Sequence, residues 1–279
     1  MTDQAIRLGH LATAPTVEPD LPTRPVFVVA SGKGGVGKSV IASMMAEALA
    51  DSGPRVLLVD GAQNLGHLHV ILGVSAKARL EEVQRGEIEP AALVTRVTDR
   101  LWLLASDSGA EGLYALPAID QARLHHRLAA IYDDFDIVVV DAGAGIETVV
   151  RLATMGGTRL VLVTVPEVAA LTDAYALVKL VHAQLPQLPI DVVVNRAGDP
   201  AEGAKAFDRL AVAAERFLGR RLTSLGVILE APALRGVMRR PGGLLADPGL
   251  EDLKHDVRTM ANTLAGAASP APLSAGGPQ

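Results

Sequence analysis

The chain has 279 residues, 49% hydrophobic and 20% charged, which is enough apolar material for a sizeable core and too little charge for a disordered tail protein. Its formal net charge of −5 argues against a surface built throughout to hold nucleic acid. Cysteine is absent, so disulfide scaffolds and thiolate metal sites are excluded.

The start, Met1-Thr2-Asp3-Gln4-Ala5, has neither the basic opening nor the apolar stretch of a signal peptide. No apolar run approaches the roughly 18 residues of a spanning helix. A soluble, cytoplasmic protein is expected. Residues 1–12 read as a tethered segment with Ile6 and Leu8 as its few apolar contacts, and residues 13–24 carry three prolines and read as an extended linker. A frayed terminus is the alternative. Residues 25–267 form the expected folded body, and residues 268–279, rich in Ala, Pro, Ser and Gly, an expected disordered tail.

Within the body the predicted strands are Val26–Ala30, Val56–Val59, Leu101–Leu104, Ile137–Val140, Leu160–Val165, Val192–Val194 and Leu225–Leu229. Most are apolar at every position, the pattern of strands covered on both faces and so of a parallel sheet between helical layers. Ile41, Met44, Met45 and Ala48 repeat at helical spacing, as do Leu124, Leu128 and Tyr132. Strand and helix alternate, which predicts a doubly wound, mainly parallel α/β fold with helices on both faces.

Gly32-Lys33-Gly34-Gly35-Val36-Gly37-Lys38-Ser39, followed by Val40, leaves the first strand and opens the first helix. This is the phosphate-loop spacing in the context it requires. The glycines let successive backbone N–H groups converge on phosphate oxygens, and the helix N-terminus adds positive partial charge. Lys38 is placed to reach the β- and γ-phosphates and the Ser39 hydroxyl to ligate Mg²⁺. Asp141 and Asp60 end buried strands, where a carboxylate supports a magnesium shell or caps the next helix. Late in the chain, Asn195-Arg196-Ala197-Gly198 lacks the carboxylate with which guanine-specific phosphate-loop proteins take the base. Adenine, and hence ATP, is the expected nucleotide, with Asn195 and Arg196 as candidate contacts.

With Lys33 as a second lysine inside the loop, Lys-Gly-Gly-Val-Gly-Lys-Ser resembles the deviant phosphate loop of the MinD/ParA class of ATPases. The resemblance implies a MinD-like fold, ATP and Mg²⁺ as cofactors, and catalytic roles for Lys33, Lys38 and Asp60. It also implies that Lys33 crosses to the nucleotide of a facing subunit, so that ATP holds a sandwich homodimer, its charge offsetting the repulsion of two triphosphates. Asp141-Ala142-Gly143-Ala144-Gly145-Ile146 is similar to the class's switch II. Pro166-Glu167, Leu171 to Lys179, Arg216-Phe217-Leu218-Gly219, Leu225-Gly226-Val227-Ile228 and Val237 to Pro241 resemble the flagellar FlhG/FleN branch. Residues 3–8 resemble the short motif by which such proteins engage FlhF, an SRP-type GTPase. The branch further implies a flagellar transcription regulator as partner and recruitment to the cell pole or inner membrane surface.

One departure stands out. Where the class usually has Asp-x-Asp after the second strand, this chain reads Asp60-Gly61-Ala62, and His67 replaces a further Asn. Binding is expected to survive this and turnover to be weakened. His67 and His69 lie on a loop with no third ligand nearby, and His125-His126 lie on a helix with one at most facing inward, so no metal besides Mg²⁺ is expected. Leu250, Leu253, Val257, Met260 and Leu264 form an apolar stripe whose polar face is of mixed sign, which predicts a core helix rather than a membrane-surface one. Residues 196–240 hold nine Lys/Arg against five acids, a surface for DNA or for an acidic partner, with the flagellar resemblance favouring protein. Three readings follow: an ATP-dependent dimerising switch, a non-hydrolysing ATP-bound scaffold, and a ParA-like DNA-associated ATPase.

Overall fold

A computed structural model of the chain describes residues 24–61, 67–75, 78, 82–83, 85–105, 131–143, 149 and 159–268. The expectations for residues 1–23, Ala62, Leu124, Leu128, His125, His126, Ala144 to Ile146 and 269–279 lie outside these.

The apolar runs become strands of one sheet. They are β1 (Val26–Ala30), β2 (Val56–Asp60), β3 (Val94–Arg96), β4 (Leu101–Leu104), β5 (Ile137–Asp141), β6 (Arg159–Thr164), β7 (Ile190–Ala197) and β8 (Thr223–Leu229). Their order is β3-β4-β2-β5-β1-β6-β7-β8, and every neighbouring pair is parallel except β3 with β4. The expected fold class is the one observed. The short antiparallel β3 was not among the predicted strands: three residues, Val94-Thr95-Arg96, are too few to show a period.

The longer described helices are α1 (Lys38–Asp51), α3 (Val168–Gln184), α4 (Pro200–Leu218) and α7 (Glu251–Ala268); α2 (Leu68–Leu72), α5 (Ala233–Val237) and α6 (Gly243–Ala246) are short. β1 explains why its sequence has no polar alternation. Phe27 and Val29 enter one core with Ile41, Met44, Met45 and Leu49 of α1, while Val28 and Ala30 enter a second core with Leu177, Val178 and Val181 of α3. Each of these large side chains, fully buried, contributes about 1.5–3 kcal/mol of transfer free energy.

The stripe of α7 is in the core. Leu253, Val257, Met260 and Leu264 are buried in the same cluster as α1, with Leu250 just before the helix. Among the described residues no helix is long and apolar enough to cross a membrane.

The sheet order positions the site. β1 sits between β5 and β6, and its carboxyl end runs through residues 31–37 into α1. β2 lies on the other side of β5, so Asp60 and Asp141 become register partners at the same end of the sheet.

Candidate nucleotide site

The loop between β1 and α1 depends on glycine. Gly35 and Gly37 have φ of 79° and 91°, a region L side chains rarely enter. At Gly32 a Cβ would stand 2.2 Å from the Asp173 carbonyl oxygen, because α3 packs directly on the loop. Gly37 is the N-cap of α1 and makes no side-chain cap, and the first turn of the helix carries no acidic residue. The leading N–H groups of α1 thus have no side chain competing for them, the condition for an anion seat.

Lys38, the first residue of α1, is buried, and its Nζ donates a close hydrogen bond to Oδ1 of Asp141, which is buried at the end of β5. The same Nζ is 3.5 Å from Ser39 Oγ. Asp60 is buried at the end of β2, and its Oδ2 accepts from the Leu68 amide at the start of α2 over 3.3 Å. The sheet therefore assembles Lys38, Ser39, Asp60 and Asp141 from three separate strand ends. Two carboxylates and a hydroxyl are hard oxygen donors of the kind Mg²⁺ takes. Among the described residues no group of three or more His, Asp or Glu offers another metal cage.

Lys33 behaves differently from Lys38. Its side chain is 40% exposed at the rim, and Nζ donates to Glu167 Oε2 over 2.9 Å at the N-cap of α3. The hydrogen bond from Lys33 holds the Glu167 carboxyl below its usual value, with the lysine's charge adding to the effect.

Asn195 and Arg196, at the end of β7, close the other side. Asn195 Nδ2 donates to the Val36 carbonyl over 2.8 Å, and a Cβ on Gly37 would lie 2.4 Å from that nitrogen. The asparagine thus braces the phosphate loop from behind. Arg196 adopts φ of 57°, with Nη1 3.5 Å from the Gly35 carbonyl and Nη2 4.0 Å from Glu230. Beside them opens a cavity of about 290 Å³, whose walls include Val40, Ile228, Glu230, Leu234 and Met238. Its lining is mixed, with Asn195, Arg196, Glu230 and Arg235 beside the apolar side chains.

Sequence reasoning missed Glu167 as the partner of Lys33 and the wall formed by Glu230, Leu234 and Met238. Glu167 carries no local signal, since only the packing of α3 on the loop brings it to Lys33. The wall has a usable signal, since its residues come directly after β8.

Residues 27–239 match the CobQ/CobB/MinD/ParA nucleotide-binding domain. The chain is 33% identical over 215 residues to the antiactivator FleN of Pseudomonas aeruginosa, covering 77% of each protein. It is 29% identical over 243 residues to the flagellum site-determining protein YlxH of Helicobacter pylori, covering 86% of this chain and 82% of that one. In fold it is similar to a MinC:MinD cell division complex of Aquifex aeolicus, with a TM-score of 0.67 at 24% identity, over 88% of this chain and 98% of the other.

Proposed function

Because this chain belongs to the CobQ/CobB/MinD/ParA nucleotide-binding family, whose MinD/ParA members are ATPases, we propose that it is a MinD-like ATPase acting as an ATP-driven dimerising switch in the control of flagellar number and placement. The similarity to FleN and YlxH supports the flagellar role.

The reading assigns Gly32, Lys33, Gly34, Gly35, Val36, Gly37, Lys38, Ser39 and Val40 to the triphosphate, and Asn195 and Arg196 to the base side. Ser39, Asp60 and Asp141 would hold Mg²⁺, which supplies charge neutralisation at the β- and γ-phosphates. Lys38 is held by Asp141 here, so phosphate and carboxylate compete for one ammonium. Residues 3–8, within the segment 1–12 that the linker 13–24 sets apart, are assigned to a partner GTPase of the FlhF type, and the body, residues 25–267, to the nucleotide.

The observation that carries the reading is the division of labour between two lysines of one loop: Lys38 is buried at the loop's base, while Lys33 stands at its open rim. A rim cation is of use to an anion arriving from outside, such as a second subunit's nucleotide. Gel filtration with ATP tests this. Wild type should elute as a dimer, and Lys33→Ala should bind ATP yet stay monomeric; a Lys33→Ala protein that dimerises normally refutes the sandwich.

A second reading, an ATP-bound scaffold without turnover, is supported by Ala62 in place of the usual carboxylate. Measured ATP binding without phosphate release would favour it.

A further inference from the structure

The outer face of α4 carries charge in two rows that the nucleotide chemistry does not use. With about 100° per residue, Lys205, Arg209 and Arg216 fall along one line of the helix, and Asp208 and Glu215 along a second line beside it. Val212 sits between the rows and is 63% exposed. The opposite face, Gly203, Ala206, Leu210 and Ala214, is buried on the sheet. Like charges four apart, Lys205 and Arg209, weaken an isolated helix slightly, and the opposite charges of Lys205 and Asp208, three apart, offset this by a similar small amount, so the pattern gives α4 itself little net support. Among the described residues Lys205, Asp208 and Arg209 have no ion-pair partner; Glu215 has only Arg221, at 3.8 Å. The guanidinium of Arg216 stacks at 5.5 Å over Phe217, which is 67% exposed.

We propose that α4 is a self-association surface on which a second copy of this chain docks its own α4 in parallel. Geometry selects this arrangement. Two helices facing each other around a two-fold axis parallel to them meet height for height with left and right exchanged. The basic row of one copy then faces the acidic row of the other. Arg209 comes opposite Asp208 of the second copy and Arg216 opposite Glu215, each offset by one residue, or about 1.5 Å along the axis. The symmetry repeats both pairs, and Val212 meets Val212 at the centre. Antiparallel docking keeps each row on its own side, so basic faces basic, and it is disfavoured. The surface lies on the flank of the sheet, whereas the phosphate loop opens at the strand ends. Both interfaces can therefore be used at once, linking nucleotide-held dimers into larger assemblies.

The contacts are exposed and largely ionic, so the association is weak and salt-sensitive, with a Kd on the order of 100 µM at low ionic strength. Sedimentation velocity on the full chain without nucleotide reads it directly. Wild type should show a reversible dimer at low salt that disappears when salt is raised about tenfold. Arg209→Glu with Arg216→Glu makes both rows acidic at the two paired heights, leaving Lys205 as the one cation, and Asp208→Arg with Glu215→Arg makes both rows basic. Each double variant should be monomeric alone, with wild-type melting behaviour because every altered side chain is exposed. An equimolar mixture of the two should dimerise more tightly than wild type. The proposal is overturned if wild type stays monomeric at low salt up to several hundred micromolar. It is equally overturned if either double variant dimerises like wild type, or if mixing two folded variants restores nothing.

Discussion

Lys33 Nζ donates to Glu167 Oε2 over 2.9 Å, joining the rim of the phosphate loop to the start of α3 across 134 positions of sequence. Both side chains are well exposed, so the bond contributes little to stability. Its consequence is directional: a lysine occupied by its own chain is not available to a facing nucleotide. Glu167→Gln keeps the shape and removes the charge. We expect it to lower the protein concentration needed for ATP-dependent dimerisation by about two- to fivefold, the modest effect of releasing one exposed ion pair. Light scattering with ATP checks this, and an unchanged or weakened dimer would show that Glu167 does not restrain Lys33.

Lys38 and Asp141 form the contrasting pair, buried on both sides. Lys38→Ala removes the charge that the proposed function places at the β/γ-phosphates and leaves a carboxylate buried without its cation. ATP binding should fall by more than about a hundredfold, and the variant should lose on the order of 3 kcal/mol of stability at neutral pH. Calorimetric titration and denaturant melts measure the two effects separately. Normal ATP affinity in a folded variant would contradict the assignment of the loop.

Under the proposed function, Ala62 occupies the position that would orient the attacking water. Alanine has no atom that accepts a proton or hydrogen bond from an attacking water, and positioning that water is a large part of phosphoryl-transfer catalysis. Ala62→Asp is expected to raise ATP hydrolysis by about tenfold to a thousandfold with little change in affinity. Phosphate release under single-turnover conditions decides. A wild-type rate equal to that of the variant removes the role given to position 62.

Glu47 lies on α1 where α7 packs. Burial pushes its carboxyl from the ordinary 4.5 up to about 7, Asp51 and Glu251 adding in the same direction and Lys254 and Arg258 opposing. Between pH 4.5 and about 7 the folded chain keeps a proton that the unfolded chain has released, so stability falls as pH rises through that window and is level above it. Glu47→Gln should flatten this slope and stabilise the protein above neutrality by on the order of 1 kcal/mol, discounted because the carboxyl is only partly buried. Urea melts on the two sides of the window measure it. A wild-type stability that rises from mildly acidic to neutral pH while the variant's stays flat would reverse the sign argued here.

Features set by residues close together in the chain are legible without the fold. The run from Gly32 to Ser39 identifies a phosphate loop because its glycine spacing, preceding strand and following helix all lie within a few residues of one another. The uninterrupted apolar strands identify a parallel sheet because each strand must bury both faces, as Phe27 and Val28 do in opposite cores. Tertiary structure alone decided which distant groups share a site. Strand order is a long-range property, and only the placement of β5 between β1 and β2 brings Asp141 to Lys38 and beside Asp60. The same holds for Asn195, whose amide reaches Val36 across 159 positions. Its Nδ2 braces the loop from behind Gly37, a contact that no local pattern around residue 195 announces. Local periodicity carries no record of such pairings. They arise when the sheet closes and a buried polar group must take the partner that packing leaves within reach.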